Sequence, residues 1–542
     1  MTTLTTLMLV LSCLASSSDP EPFSLGVAAG DVTADAAVLW TRADHSGTVR
    51  WEVAADSGFA GLAAWGEAQA APEDDLVVQV EARGLQPGRE YFYRFRFLED
   101  PPAFSRTGRF RTAPDPAEPV AFRFAISGDS GDDRRPFDLL RFAAGEDLDF
   151  FVYLGDTIYA DEPGAGNLVA RTLDEYRRKY RWNRADGPLR DLLAATAVWA
   201  QWDDHEIEND YAGLGLAAGG RDAQLEAGYR AFLEYLPVRR QEDPRRTYRR
   251  FRYGAAAEFF ILDNRQYRQP GAAGECGEDL DPFGQLTLLG NAACREALGR
   301  PRSMLGSGQL EWLKQGLAGS TAAVKFVLTS VPIQFVGFQP YDRWDGYDAE
   351  RRELLSFIDA RRIAGVFFLT TDFHANAYNP DVTAYFRRHR PDYGLTGGAV
   401  CPEIIAGPIA QATLHEVLLH SGAQRLGLEP ESPWAQTWVQ VLENSLVEGL
   451  MRTSGQTFIE TDRYAYAVVD VQADGTVHTR FRGLVPPRGG PDPAIETIHE
   501  ATFPEPPPVP CALPAAALLA WGWRGALAHR RRTIPAAPPG YR

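Results

Sequence analysis

Aspartate and histidine gather where apolar runs of this chain end, a pattern suited to holding metal ions. The run 120–126 ends in Ser127-Gly128-Asp129, and 150–154 ends in Gly155-Asp156-Thr157-Ile158-Tyr159. Residues 197–202 lead into Asp203-Asp204-His205-Glu206, 259–262 into Asp263-Asn264-Arg265, and 366–370 into Thr371-Asp372-Phe373-His374. Ligands of sheet enzymes sit beyond the carboxyl ends of strands, so five such ends can converge on one point. Any one of them alone reads as a turn, because Asp and Gly suit turns. Carboxylates crowded into a partly desolvated cleft repel one another, and a cation is the simplest way to keep them ionised. A lone strand-end histidine reads as a satisfied core residue, but Asp204-His205-Glu206 and Asp372-x-His374 both follow apolar runs and read as site residues. The nine histidines form no His-x-His or HExxH pair, so a metal here would rest mainly on oxygen donors. Gly128-Asp129-Ser130-Gly131 overlaps the nucleophile tetrapeptide of chymotrypsin-like serine proteases. The match stops there, since Asp132 follows in place of Gly-Pro and no Gly-x-Ser-x-Gly elbow sits in a strand-turn-helix context.

The elements that must position these residues follow from periodicity. From 119 onward, continuous apolar runs alternate with helix-like stretches, which predicts buried strands in an α/β arrangement. Residues 23–112 read differently, as short alternating segments (36–40, 49–53, 76–80, 91–97, 108–112) separated by turn residues, the pattern of a small β-sandwich. The stretch 84–93, Gly-Leu-Gln-Pro-Gly-Arg-Glu-Tyr-Phe-Tyr, resembles the turn and tyrosine corner of fibronectin type III domains. Residues 113–119, with three prolines, make a stiff linker. Residues 212–221 and 270–300 read as loops near the cleft, and Cys276 and Cys294 as a disulfide closing the second.

With 542 residues, 45% hydrophobic and 23% charged, the chain buries a large core and divides into more than one domain, and disorder is excluded. The balance of 72 acidic against 55 basic residues, a net charge of −17, opposes binding to nucleic acid or to an anionic membrane surface. Residues 4–15 form a short apolar run ending in small residues, read as a secretory signal (1–18), although no Lys or Arg precedes Arg42. Residues 501–542 combine a Pro-rich spacer, the apolar stretch 511–523 and terminal arginines, and read either as a processed C-terminal sorting tail of the bacterial kind or as a disordered tail. Both ends favour export to the periplasm, envelope or exterior, with attachment through the termini an option.

On these residues the chain resembles the alkaline phosphatase D (PhoD-like) family of calcineurin-type metallophosphoesterases. The motifs are Gly155-Asp156-Thr157-Ile158-Tyr159, Trp202-Asp203-Asp204-His205-Glu206-Ile207-Glu208-Asn209, Leu262 to Arg268, Met304-Leu305-Gly306 and Trp344-Asp345-Gly346-Tyr347, in that order. The resemblance runs from about Phe23 to Val471 and implies a four-layer α/β/β/α sandwich (119–500) preceded by a fibronectin-III-like β-sandwich (21–113). It further implies that Asp156 bridges metals, that Tyr159 is a phenolate ligand, and that Asp204, Asn209, Asp372 and His374 supply others. His205 would stand by the leaving group, and Arg265 is either a phosphate clamp or structural. A phenolate ligand points to Fe³⁺, while carboxylates and an amide suit Ca²⁺. Two positions depart from the family pattern: Asp129 stands where Ser-Cys is usual, so Asp129 joins the ligand set and other divalent metals enter, and Thr371 stands where Gly is usual, which could narrow the site. The implied activity is hydrolysis of a phosphate ester by a metal-activated water, with a phospholipase D-like diesterase or an inactive envelope binding protein as alternatives.

Overall fold

The computed structural model describes residues 22–99, 101–164, 166–272, 292–336, 341–485 and 493–504. The expected signal peptide, the tail from 505 onward and Cys276 lie outside them.

Two sheets face each other. One has nine strands in the order Ala494–Phe503, Val477–Val485, Ala465–Val471, Phe122–Ser127, Phe150–Tyr153, Ala197–Ala200, Val27–Gly30, Ala36–Arg42 and Val77–Arg83. The other has seven: Arg249–Tyr253, Ala257–Ile261, Val324–Leu328, Val366–Thr370, Glu403–Ile405, Asn376–Asn379 and Phe458–Glu460. The central strands are parallel, Phe122–Ser127 to Ala197–Ala200 in the first sheet and Ala257–Ile261 to Glu403–Ile405 in the second. Such strands are covered on both faces, which is why the sequence shows them as unbroken apolar runs.

Successive side chains point to opposite faces of a sheet. Phe124, Ile126, Phe150, Val152 and Trp199 therefore meet Phe259, Ile261, Phe326 and Leu328 in one core between the sheets. There Phe124 stands edge-on to Phe259 and Phe326, with ring centroids 5.3 and 5.2 Å apart, a favoured aromatic geometry. The outward residues Ala125, Phe151 and Val198 pack under the helices Leu173–Arg184, Gly187–Ala195 and Asp222–Tyr235. Phe260, Val327 and Phe368 pack under Gly306–Gly319, Asp348–Ala360 and Val382–His389. The result is the predicted α/β/β/α sandwich.

In the N-terminal β-sandwich, one layer is the sheet Leu62–Ala70, Gly47–Ala54, Glu90–Phe97, Gly108–Arg111. The facing strands Val27–Gly30, Ala36–Arg42 and Val77–Arg83 are also the end of the nine-stranded sheet, joined to it by the parallel pair Gly30 and Val198. The Pro-rich linker thus separates the sandwich in sequence but not in hydrogen bonding. A buried ion pair reinforces the junction, with Arg249 Nε and Nη2 each 2.8 Å from the Asp31 carboxylate. The tyrosine corner is present, since the Tyr91 hydroxyl accepts the Gln86 N–H at 3.0 Å. Two strands leave no mark in the sequence pattern, Val27–Gly30 (VAAG) and Leu62–Ala70 (LAAWGEAQA), because Ala and Gly carry little strand preference. Residues 212–221, read as a loop, contain the helix Gly213–Ala218. The 270–300 excursion ends in the helix Ala292–Gly299, where Cys294 is disulfide-bonded, while Cys401 is buried and free. Among the described residues no helix is long and apolar enough to cross a membrane.

Candidate metal centre

The parallel strands of both sheets end on the same side, and their ends are hydrogen-bonded into one floor. Ser130 N–H donates to Asp156 O at 3.0 Å, Gln201 Nε2 donates to Leu262 O at 3.0 Å, and Thr371 N–H to Ser330 O at 3.2 Å. Glu206, fully buried, binds two of these ends: it accepts Thr157 N–H at 2.6 Å, Asp156 N–H at 3.2 Å and Asp203 N–H at 2.8 Å. Asp129, Asp156, Asp372 and His374 all adopt left-handed backbone angles, φ 63°, 50°, 64° and 53°. Such angles cost a non-glycine residue of order 1–3 kcal/mol and persist where surroundings over-determine them, as they do at functional sites.

The donor atoms form three linked groups, each with its atoms within 4.8 Å of one another: Asp129, Asp156 and His374; Asp156, Asp204 and His205; Asp203, Asp204 and Asp372. Asp156 and Asp204 are each shared between two of these three groups, which make a chain from one sheet to the other, and Asp204 also belongs to a fourth group. Burial is the main reason these carboxyls resist ionisation, pushing Asp129 and Asp372 up to about 7 and Asp156 and Asp203 well above the carboxylate range. Neighbouring carboxylates push the same way. Asp129 Oδ2 accepts the Thr371 hydroxyl at 2.5 Å, whereas its buried Oδ1 has no hydrogen-bond partner, and neither does Asp203 Oδ2. A buried carboxylate oxygen left in that state is costly unless a cation faces it. His374 donates Nδ1–H to Ala412 O at 2.6 Å, and burial lowers its pKa to about 4, so at neutral pH its Nε2 carries a lone pair that can bind a metal. The residues present therefore fit metal ions, held by carboxylate oxygens and one imidazole.

Tyr159 is brought to the same point. Its hydroxyl lies 3.1 Å from His374 Nε2 and its ring stacks on His205 with centroids 4.1 Å apart. Burial, helped by the Asp156 and Asp129 carboxylates, holds the phenol protonated unless a strong Lewis acid faces it. His205 Nδ1 is 2.7 Å from Asp161 Oδ1, and its backbone N–H donates to Asp156 Oδ1 at 3.2 Å. Burial alone would lower the imidazole pKa, but Asp161, Asp156 and Asp204 hold it well above the usual histidine value.

Two expected residues sit differently. Asn209 is exposed, and its backbone N–H donates to Asp161 Oδ2 at 2.8 Å. The next residue, Asp210, groups with Asp204 and Asp342. Arg265 has no exposed surface: its Nε is 2.5 Å from Asp203 Oδ1, Nη1 2.6 Å from Asp342 Oδ1, and Nη2 3.4 and 3.7 Å from Asp204 and Asp372. A guanidinium so engaged spaces carboxylates and does not reach out to a substrate, which favours the structural of its two readings over the phosphate clamp. The Ser130 hydroxyl is buried against the Tyr153 hydroxyl and Asp156 O, which removes the serine-nucleophile alternative. Asp161 was not singled out by the sequence, whereas Asp203 and Glu206 stand in the 203–206 strand end that the sequence marks, without the contacts the structure gives them. The density of carboxylates after strand 197–200 was the only available signal, because their partners come from distant loops.

Family models match most of the chain: PhoD-like phosphatase over residues 125–456, and the N-terminal domain of PhoD-like phosphatase over 10–114. Alkaline phosphatase D of Bacillus subtilis is 32% identical over 394 residues, an alignment covering 66% of this chain and 65% of that protein. The chain thus spans somewhat under two thirds of that relative's length. A solved structure of PhoD superposes with a TM-score of 0.71 at 26% identity, covering 89% of this chain and 90% of the other. Purple acid phosphatase from yellow lupin (Lupinus luteus) shares the fold, with a TM-score of 0.50 at 13% identity over 84% of this chain and 71% of the other.

Proposed function

The chain belongs to the PhoD-like phosphatase family, and from that premise we propose that it hydrolyses phosphoric esters at the metal centre formed by Asp129, Asp156, Tyr159, Asp204, Asp372 and His374. The observation that carries this reading is the chain of linked donor groups through Asp156 and Asp204, with a buried Asp129 oxygen that has no hydrogen-bond partner. Bound metal ions supply positive charge for the phosphoryl oxygens and acidify a water for in-line attack. The protein's own residues do the rest. Asp161 fixes His205 through Nδ1, so the proton delivered to the departing alkoxide sits at Nε2. Arg265 neutralises Asp203 and Asp342 and so lets the ligand carboxylates remain ionised beside them. Tyr159 beside His374 and Asp156 supports Fe³⁺ at that end, and the carboxylates around Asp204 support Ca²⁺ at the other, while the hard Asp129 oxygen admits other divalent ions. The disulfide at Cys294 supports export to an oxidising compartment.

The test is metal analysis of protein purified without chelator, paired with hydrolysis of p-nitrophenyl phosphate and bis(p-nitrophenyl) phosphate by wild type and Asp156→Ala. Bound metal, with activity lowered about 10³-fold or more by the substitution, is the expected result. Faster diester than monoester turnover would select the diesterase alternative. Protein that stays metal-free and inactive after reconstitution would leave the binding-protein reading in front.

A further inference from the structure

The two positions at which the sequence departs from its family's pattern touch each other. Thr371, from the second sheet, donates its hydroxyl to Asp129 Oδ2 of the first sheet at 2.5 Å. The contact sits in a notch cut by two glycines. A Cβ at Gly407, whose φ of 151° already disfavours a side chain, would lie 2.5 Å from Asp129 Oδ2 and 2.7 Å from Thr371 Oγ1. A Cβ at Gly128 would lie 2.9 Å from Thr371 Oγ1 and 3.0 Å from its Cγ2. Thr371 is itself buried and pinned by its N–H to Ser330 O at 3.2 Å, and β-branching restricts its χ1. Within that restriction its hydroxyl points at Asp129.

We propose that Thr371 is the positioning residue for Asp129, holding Oδ2 so that Oδ1 alone faces the metal beside Asp156 and His374. This rests on the metal-dependent reading above and goes beyond it by assigning the residue that orients one ligand. A short-chain carboxylate with both oxygens free can rotate and offer either one or both to a cation. With Oδ2 committed, Asp129 is a one-oxygen ligand of fixed direction. Oδ1 stands 3.9 Å from His374 Nε2 with no hydrogen bond of its own, the separation of two donors that share an ion and not each other. Partners behind the ligands typically set metal affinity by about 10–100-fold.

The experiment measures Co²⁺ binding to metal-free protein by competition with a chromogenic chelator, with thermal stability of the same metal-free samples as a folding control. Thr371→Val keeps the shape and removes the hydroxyl, and Thr371→Ser keeps the hydroxyl. The expected result is Co²⁺ affinity at least about 10-fold weaker in Thr371→Val and restored to within about threefold of wild type by Thr371→Ser. In an Asp129→Ala background, Thr371→Val should change the affinity no further, because the two residues act as one unit. Equal affinity of wild type and Thr371→Val would overturn the assignment, as would additive losses in the double variant. Should Thr371→Val not fold, Thr371→Ala and the same double-variant comparison decide between these outcomes. A wild type that binds no Co²⁺ would instead strike at the metal-dependent reading itself.

Discussion

The neighbours of His205 decide its work. Asp161 Oδ1 at 2.7 Å from Nδ1 selects the tautomer, and the Tyr159 ring at 4.1 Å fixes the plane of the imidazole. A histidine held this way beside carboxylates is kept protonated, which suits the proposed role as an acid toward a leaving group. His205→Ala should therefore lower kcat by about 10²–10⁴-fold for an alkyl phosphate, whose alkoxide needs a proton, and far less for p-nitrophenyl phosphate, whose leaving group does not. Asp161→Asn should fall between the two. Steady-state rates on both substrates, with metal content measured in parallel, check this. A uniform loss across substrates would point to a structural or metal-binding role. The sequence showed His205 because it stands next to Asp204 after an apolar run. It could not show Asp161, since the Asp161 contact depends on how the loop after Tyr159 folds back over the 203–206 end.

Strand ends, more than single side chains, make the floor of the site, and Glu206 is where two of them are tied. Its carboxylate takes backbone N–H groups from Asp156, Thr157 and Asp203 and the Thr157 hydroxyl at 2.6 Å, all in a buried setting. Glu206→Gln puts an amide N–H₂ against one of those N–H groups. The expected cost is about 2–4 kcal/mol of stability, with weaker metal binding, because the Asp156 and Asp203 ends would no longer be held together. Chemical denaturation and metal retention on dialysis measure the two effects, and loss of neither would show that the strand ends hold without it. Five of the doubly buried parallel strands were legible as apolar runs, each ending near a residue of the site. The run 324–328 was overlooked although Thr329 and Ser330 at its end face the site, with Ser330 Oγ 2.6 Å from Asp203 Oδ1, because its ending carries no carboxylate or histidine. The change from alternating segments to continuous apolar runs at the Pro-rich linker was legible too. That Val27–Gly30 continues the catalytic sheet was not, since a four-residue Ala-rich strand has no periodicity to read.

Taken over the whole molecule, the metal centre is an electrostatic debt that metal ions discharge, and this links stability to pH. Asp129 and Asp372 titrate near 7 in the folded metal-free chain, with burial the chief cause, against roughly 4 in an unfolded chain. A carboxyl whose folded pKa is raised contributes stability below about pH 4 that is lost as pH rises to about 7, because over that range the unfolded chain gains by ionising the group while the folded chain keeps it protonated. Metal-free protein should therefore lose stability between about pH 4 and pH 7 and level off above, a change of several degrees in Tm for one or two such groups. Metal binding prefers the ionised carboxylates and competes with their protons. Metal-loaded protein should accordingly keep its Tm over the same range, and the gain in Tm on adding metal should grow with pH. Calorimetry of both forms at pH 5, 6.5 and 8 measures this. In Asp129→Asn the metal-free slope should flatten, because one of the titrating groups is gone, and the metal-dependent gain should shrink with it. If the metal-free slope is unchanged in that variant, the pH dependence arises from other groups; Asp342 and Asp348 are not among them, because arginines hold both ionised and their contribution is lost only as pH falls below the usual carboxylate range.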